Sequence, residues 1–126
     1  MQVLVDSSIW IDYFKGGGKS DKLDYLIDEN LIVTNELILA ELIPFLKLKN
    51  QLKVINLLES VIRFEMNIDW QEITEYQYRC IKNGFNGIGL PDLIIAQNAK
   101  QNHSEIYTLD KHFSLIKDLL DLELTI

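Results

Sequence analysis

Four carboxylates, Asp6, Glu41, Asp92 and Asp110, are set into or just beyond stretches that otherwise read as buried apolar structure. Asp6 is the only charge between Gln2 and Ile11, Glu41 the only one between Leu37 and Leu46, and Asp92 the only one between Ile88 and Ala99. An ionised carboxylate taken out of water without a partner costs on the order of several kcal/mol, so such groups are paired, protonated or bound to a cation. No Lys or Arg lies inside these three stretches. A hard divalent ion is therefore the natural partner for acids converging from distant segments. One or two Mg²⁺ or Mn²⁺ ions held by carboxylates can activate water, orient it toward a phosphodiester and neutralise charge on the phosphate and the leaving oxygen.

Each acid also has a plainer reading. Asp6 ends a predicted strand, Asp92 opens a predicted helix and Asp110 stands between a strand and a helix, so each could be a cap or first-turn acid contributing ~1 kcal/mol. Glu41 resists that reading. It lies about two turns inside its predicted helix and shares a face with Leu37, Ile38, Leu42 and Phe45, where neither a cap nor a solvated side chain is expected. If that face meets the carboxyl edge of a sheet, Glu41 approaches Asp6 and Asp92.

The elements that must position these acids alternate. Apolar runs predict strands over Gln2–Val5, Leu31–Thr34, Arg63–Met66, Ile106–Leu109 and Leu122–Ile126. Helical spacing predicts helices over Ser7–Lys15, Ser20–Asp28, Asn35–Leu48, Gln51–Ile62, Asp69–Asn83, Pro91–Gln101 and Lys111–Lys117. Pro44 is a candidate kink, and Ser20 or Asp21 a candidate cap. Between Asn83 and Gly89, three glycines and two asparagines in seven residues mark a turn before the helix that carries Asp92. The β, α order with short connections implies a parallel sheet covered by helices on both faces, whose sites form at the carboxyl ends of strands near a switch in strand order.

At 126 residues and 48% hydrophobic, the chain suits one domain over residues 1–126. Its longest apolar run, around Leu37–Leu46, is broken by Glu41 and Pro44 and is too short to cross a bilayer ~30 Å thick, so no membrane span is expected. The first residues show no basic leader or cleavage site, and the single cysteine, Cys80, allows no intrachain disulfide; both point to the cytoplasm. A net charge of -7 excludes nucleic-acid binding by a basic surface alone, but not a nuclease whose acidic centre gains attraction for phosphate through cations. Lys47, Lys49 and Lys53 form a short basic strip, read first as a solvated face.

The segments Val3-Leu-Val-Asp6-Ser-Ser-Ile-Trp-Ile-Asp12, Thr34 to Glu41-Leu42, Gly89-Leu-Pro-Asp92-Leu-Ile-Ile-Ala96 and Tyr107-Thr-Leu-Asp110-Lys-His-Phe113 resemble, in order, the successive motifs of PIN-domain ribonucleases. They are most similar to the VapC-type toxins of prokaryotic toxin-antitoxin pairs. The resemblance implies a three-layer α/β/α fold with a central parallel sheet of four to five strands, Mg²⁺- or Mn²⁺-dependent cleavage of RNA, frequent homodimers, and inhibition by a VapB-like antitoxin. It implies that Asp6, Glu41, Asp92 and Asp110 are the catalytic, metal-holding acids, with the hydroxyls of Ser7 and Thr108 beside them. His112 departs from the pattern, standing where the family often has an acid, which implies a weakly held second metal. Asp12 and His103 read as structural or surface residues.

Three alternatives compete. Gly18-Lys19-Ser20 copies the end of a phosphate-binding P-loop, but Tyr13 stands where the motif needs glycine and a helix replaces the required strand, so a flexible connector is the better reading. A PIN-fold nuclease acting in RNA processing or on DNA, without an antitoxin, shares every residue above. A non-catalytic receiver-like module holding Mg²⁺ would instead need an acidic pair near Asp6, which is absent.

Overall fold

In the computed structural model, which describes residues 1–125, three parallel strands form the central sheet: β1 (Val3–Val5), β2 (Ile32–Val33) and β3 (Glu105–Tyr107), in the order β2-β1-β3. Around them lie α1 (Ser7–Phe14), α2 (Lys22–Asp28), α3 (Glu36–Leu48), α4 (Leu52–Ser60), α5 (Trp70–Lys82), α6 (Leu90–Gln101) and α7 (Lys111–Leu120). No helix among the described residues is long and apolar enough to cross a membrane.

The period of two along a strand sorts its side chains into two cores. Val3 and Val5 pack with Ile9, Trp10, Leu23, Leu39, Leu42 and Leu58 from α1–α4. Leu4, between them, packs with Ile73, Leu93, Ala96, Phe113 and Ile116 from α5–α7. Ile32 and Val33 divide in the same way, as do Tyr107 and Ile106. Three layers follow directly: one helical layer, the sheet, and a second helical layer.

The sheet has three strands rather than the expected four to five. Arg63 makes a single parallel bridge to Thr34, and Leu124 a single bridge to Ile106, so the outer predicted strands are reduced to one pairing each. Helix α4 precedes Arg63 closely, and of the strand expected over Leu122–Ile126 the final residue, Ile126, falls outside the described residues. Helix α7 runs to Leu120, beyond its expected end at Lys117, because Leu120 is needed in the core. Pro44 sits within α3 without ending it. Pro44 and Ala40 are both exposed, so the Ala40 carbonyl that Pro44 leaves without a donor faces water. The Gly18–Ser20 segment is one 3₁₀ turn, and the Ser20 hydroxyl donates to the Gly17 carbonyl at 3.3 Å. A Cβ on Gly17 would lie 2.1 Å from Asp12 Oδ1, so the connector is tightly built, and Asp12 is half-buried against it rather than a surface residue.

Two buried amides lock α3 and α6 together. Asn35 caps α3 by accepting from the Ile38 N–H at 2.9 Å, and its Nδ2 donates to Asn98 Oδ1 at 2.8 Å. Asn98 in turn donates to the Glu65 carbonyl at 3.0 Å. Next to it, Gln97 exchanges hydrogen bonds with the Asp69 backbone at 3.1 and 3.0 Å and donates to Glu72 at 2.8 Å. Helix α6 is consequently buried nearly all round, polar residues included, and its polarity is spent internally. Asn98→Ala would strand the Asn35 amide and the Glu65 carbonyl. The expected loss is ~2–3 kcal/mol, checked by urea unfolding.

Candidate metal centre

From β1 the chain turns to one side for β2 and later returns on the other side for β3, so the gap between the carboxyl ends of β1 and β3 is the switch point of the sheet. Asp6 follows β1 directly, and Thr108 to Asp110 follow β3. Their juxtaposition is fixed by the ladder, in which Val5 is opposite Tyr107 and the Asp6 N–H donates to the Tyr107 carbonyl at 2.9 Å.

Asp6 occupies the cap position of α1 but makes no side-chain capping bond. The residue is only 4% exposed, and Oδ2 accepts from Ser8 Oγ at 2.8 Å and from Thr108 Oγ1 at 2.9 Å. The same hydroxyls accept backbone donors: Ser8 Oγ from the Leu109 N–H at 2.9 Å and Thr108 Oγ1 from the Asp110 N–H at 3.0 Å. Two hydroxyls thus tie the end of β1 to the loop after β3. Thr108 is where the motif pattern implied, whereas its partner is Ser8 and not Ser7. The signal for Ser8 was present in the spacing, since a serine two residues after an aspartate at a strand-to-helix turn is placed to bond back to it.

Asp110 caps α7, its Oδ1 accepting from the His112 N–H at 2.9 Å, so its plainer reading and a site role coexist. Asp92 stands in the first turn of α6, just after Pro91. The imidazole of His112 lies between them, with Nδ1 3.2 Å from Asp92 Oδ2 and 3.3 Å from Asp110 Oδ1. Asp92, Asp110 and His112 each present one donor atom, and the three lie within 4.8 Å of one another.

Glu41 is exposed, contrary to the buried face expected for it. The core-facing residues of α3 are Ile38, Leu39, Leu42 and Leu46, and the row Leu37, Glu41, Phe45 forms the rim above them. Glu41 nevertheless lies within the field of the other acids. Partial loss of solvent and then the charges of Asp6, Asp92 and Asp110 push its carboxyl above the ordinary range. Burial likewise pushes Asp92 up, followed by Asp110 and, more weakly, Asp6, with His112 opposing. Among the described residues the ion pairs of arginine go elsewhere, Arg63 to Glu36 and Arg79 to Glu75. Gathered carboxylates, two of them pushed up by burial and by neighbouring acids, with an imidazole beside Asp92 and Asp110 and, among the described residues, no lysine or arginine paired to them, form a donor set that fits a divalent cation.

The fold is similar to the crystal structure of FitAcB from Neisseria gonorrhoeae, with a TM-score of 0.73 at 20% sequence identity, over 99% of this chain and 97% of that one. No curated protein matches the sequence. The PIN domain family matches residues 3–119, from the first strand into the last helix. With that span, the chain belongs to the PIN domain family, whose members are typically nucleases that use divalent metal.

Proposed function

We propose that this chain is a metal-dependent endoribonuclease, the toxin of a VapBC-type pair, which hydrolyses RNA phosphodiester bonds until a VapB-like antitoxin restrains it. The observation that carries the reading is the meeting of Asp92 and Asp110 within reach of one cation, in a field that Asp6 and Glu41 share. The order of the four motifs along the chain supports the more specific likeness to VapC-type toxins.

Asp6, Glu41, Asp92 and Asp110 would hold Mg²⁺ or Mn²⁺. When bound, the ion supplies Lewis acidity toward water and phosphate. Both hydroxyl bonds to Asp6 end on Oδ2, which aims the carboxylate and leaves Oδ1 as its oxygen for a cation. Glu41, at the exposed rim of α3, would reach such an ion from the open side of the mouth. An acidic mouth on a chain of net charge -7 suits an antitoxin segment carrying Arg or Lys. We place the protein in the cytoplasm, in keeping with the free, buried thiol of Cys80, and read residues 1–126 as one functional domain.

For the homodimer we assign helix α5. Trp70, Tyr78 and Ile81 share its outward face and are each more than half exposed. Glu72 and Glu75 lie in its first half, Arg79 and Lys82 in its second, so two antiparallel copies would set opposite charges against each other. Sedimentation should give a dimer for the native chain and a folded monomer for Tyr78→Glu with Ile81→Glu; a dimer persisting in that variant would remove this interface.

Purified protein should cleave single-stranded RNA, and EDTA should stop it. Asp6→Asn or Asp92→Asn should lower cleavage at least ~100-fold with an unchanged circular dichroism spectrum, and Ser8→Ala about 10- to 100-fold, whereas Ser7→Ala should have little effect. Full activity in either aspartate variant would defeat the nuclease assignment.

The carboxyls of Glu41 and Asp92 hold their protons more tightly in the folded than in the unfolded chain. Their contribution to the metal-free fold therefore improves as pH falls through their raised values toward the ordinary carboxylate range, and is lost as pH rises. Asp92→Asn should raise the melting temperature of the metal-free chain at neutral pH and flatten this dependence. Mn²⁺ should raise it for the native chain, by the equivalent of ~2.7 kcal/mol at a hundredfold excess over Kd, and much less for the variant.

A further inference from the structure

Resting on the metal-centre reading above, we infer that His112 is itself a metal ligand, which makes this site select a transition-type divalent ion such as Mn²⁺ over Mg²⁺. Two side-chain distances carry the inference. Nδ1 stands 3.2 Å from Asp92 Oδ2 and 3.3 Å from Asp110 Oδ1. Ligands in neighbouring positions around a six-coordinate ion with bonds of ~2.1 Å are separated by ~3 Å, so the imidazole nitrogen stands from each of the two oxygens at the spacing of neighbouring ligands, and the oxygens lie within 4.8 Å of each other.

A purely ionic role for His112 fits the geometry less well. Nδ1 carries at most one hydrogen, which can point along one line, yet it faces two carboxylate oxygens at nearly equal distance. A cation placed among the three atoms serves all of them at once. The third side chain is also anchored: the His112 N–H donates to Asp110 Oδ1 at 2.9 Å, so the backbone that carries the imidazole is bound to one of its fellow ligands. Asp92, from α6, is the only one of the three that is not on or next to α7, and the ion would join the two helices.

Selectivity follows from ligand chemistry. Mg²⁺ takes oxygen ligands and gives up its waters reluctantly. Imidazole suits the later first-row transition ions best, and Mn²⁺, the weakest binder of that series, still accepts a nitrogen donor more readily than Mg²⁺, so replacing a carboxylate by histidine in the set weakens the hold on Mg²⁺ relative to them. His112 thus decides which ion the site takes, while the remaining acids retain the charge that attracts it.

The experiment is Mn²⁺ binding to the full-length metal-free protein, followed by electron paramagnetic resonance, with Mg²⁺ as competitor. Pulsed spectra of the native protein should show coupling of Mn²⁺ to one imidazole nitrogen, lost in both His112→Ala and His112→Gln. Those variants should lose ~10- to 100-fold in Mn²⁺ affinity while Mg²⁺ affinity changes less than about threefold. Mn²⁺ binding that depends on Asp92 but shows no nitrogen coupling would overturn the role of His112 and leave the metal centre standing. Mn²⁺ affinity unchanged by Asp92→Asn would overturn both.

Discussion

Mutual repulsion among acids brought to one edge of a sheet is the constraint around which this molecule is organised. Asp6, Asp92 and Asp110 come from three different strand or helix ends, and Glu41 from the rim of a fourth element. Nothing in the apolar cores would hold such groups together. They are held by local devices: two hydroxyls on Asp6, a backbone N–H on Asp110, and for Asp92 the first turn of α6, where the helix dipole favours negative charge. Burial first, and then the neighbouring acids, still push the carboxyls of Glu41 and Asp92 above the ordinary range. A donor set left in that state fits a divalent cation.

Those devices depend on a deeper polar layer. Asn35 starts α3 and reaches Asn98 in α6, while Gln97 ties α6 to the start of α5. The geometry is economical, because the helices that carry Glu41 and Asp92 are pinned to each other by the side chain that caps one of them. Buried amides with every partner in place orient a helix about its axis more sharply than apolar contacts do, since a rotation breaks several bonds at once. The rotation of α3 and α6 is what decides whether Glu41 and Asp92 face the same cleft.

Much of this was legible in residue order. The buried strand Val3-Leu-Val5, the helices from Ser7 to Lys82 and the turn before Leu90 follow from periodicity, capping residues and glycines. The three-layer arrangement followed from the alternation of strands with helices, and the structure realises it by sending Val3 and Val5 to one core and Leu4 to the other. Other features were hidden. Arg63–Met66 and Leu122–Ile126 read as strands, but strand length is set by how much of a neighbour's edge is open, which no local pattern records, and among the described residues each makes a single bridge. Gln97 and Asn98 read as ordinary polar helix residues, because their burial depends on what packs over α6.

The candidate site divides along the same line. Residue type and isolation within apolar runs singled out Asp6, Glu41, Asp92 and Asp110, since an acid in such a stretch needs a partner wherever the chain takes it. Only the tertiary structure distinguished Ser8 from Ser7, moved Glu41 from a buried face to an open rim, and set His112, read from sequence as a departure from the motif, beside two carboxylates. The need for a partner belongs to the side chain and its local surroundings, but the choice of partner depends on rotations of whole helices, which are set by contacts remote in sequence.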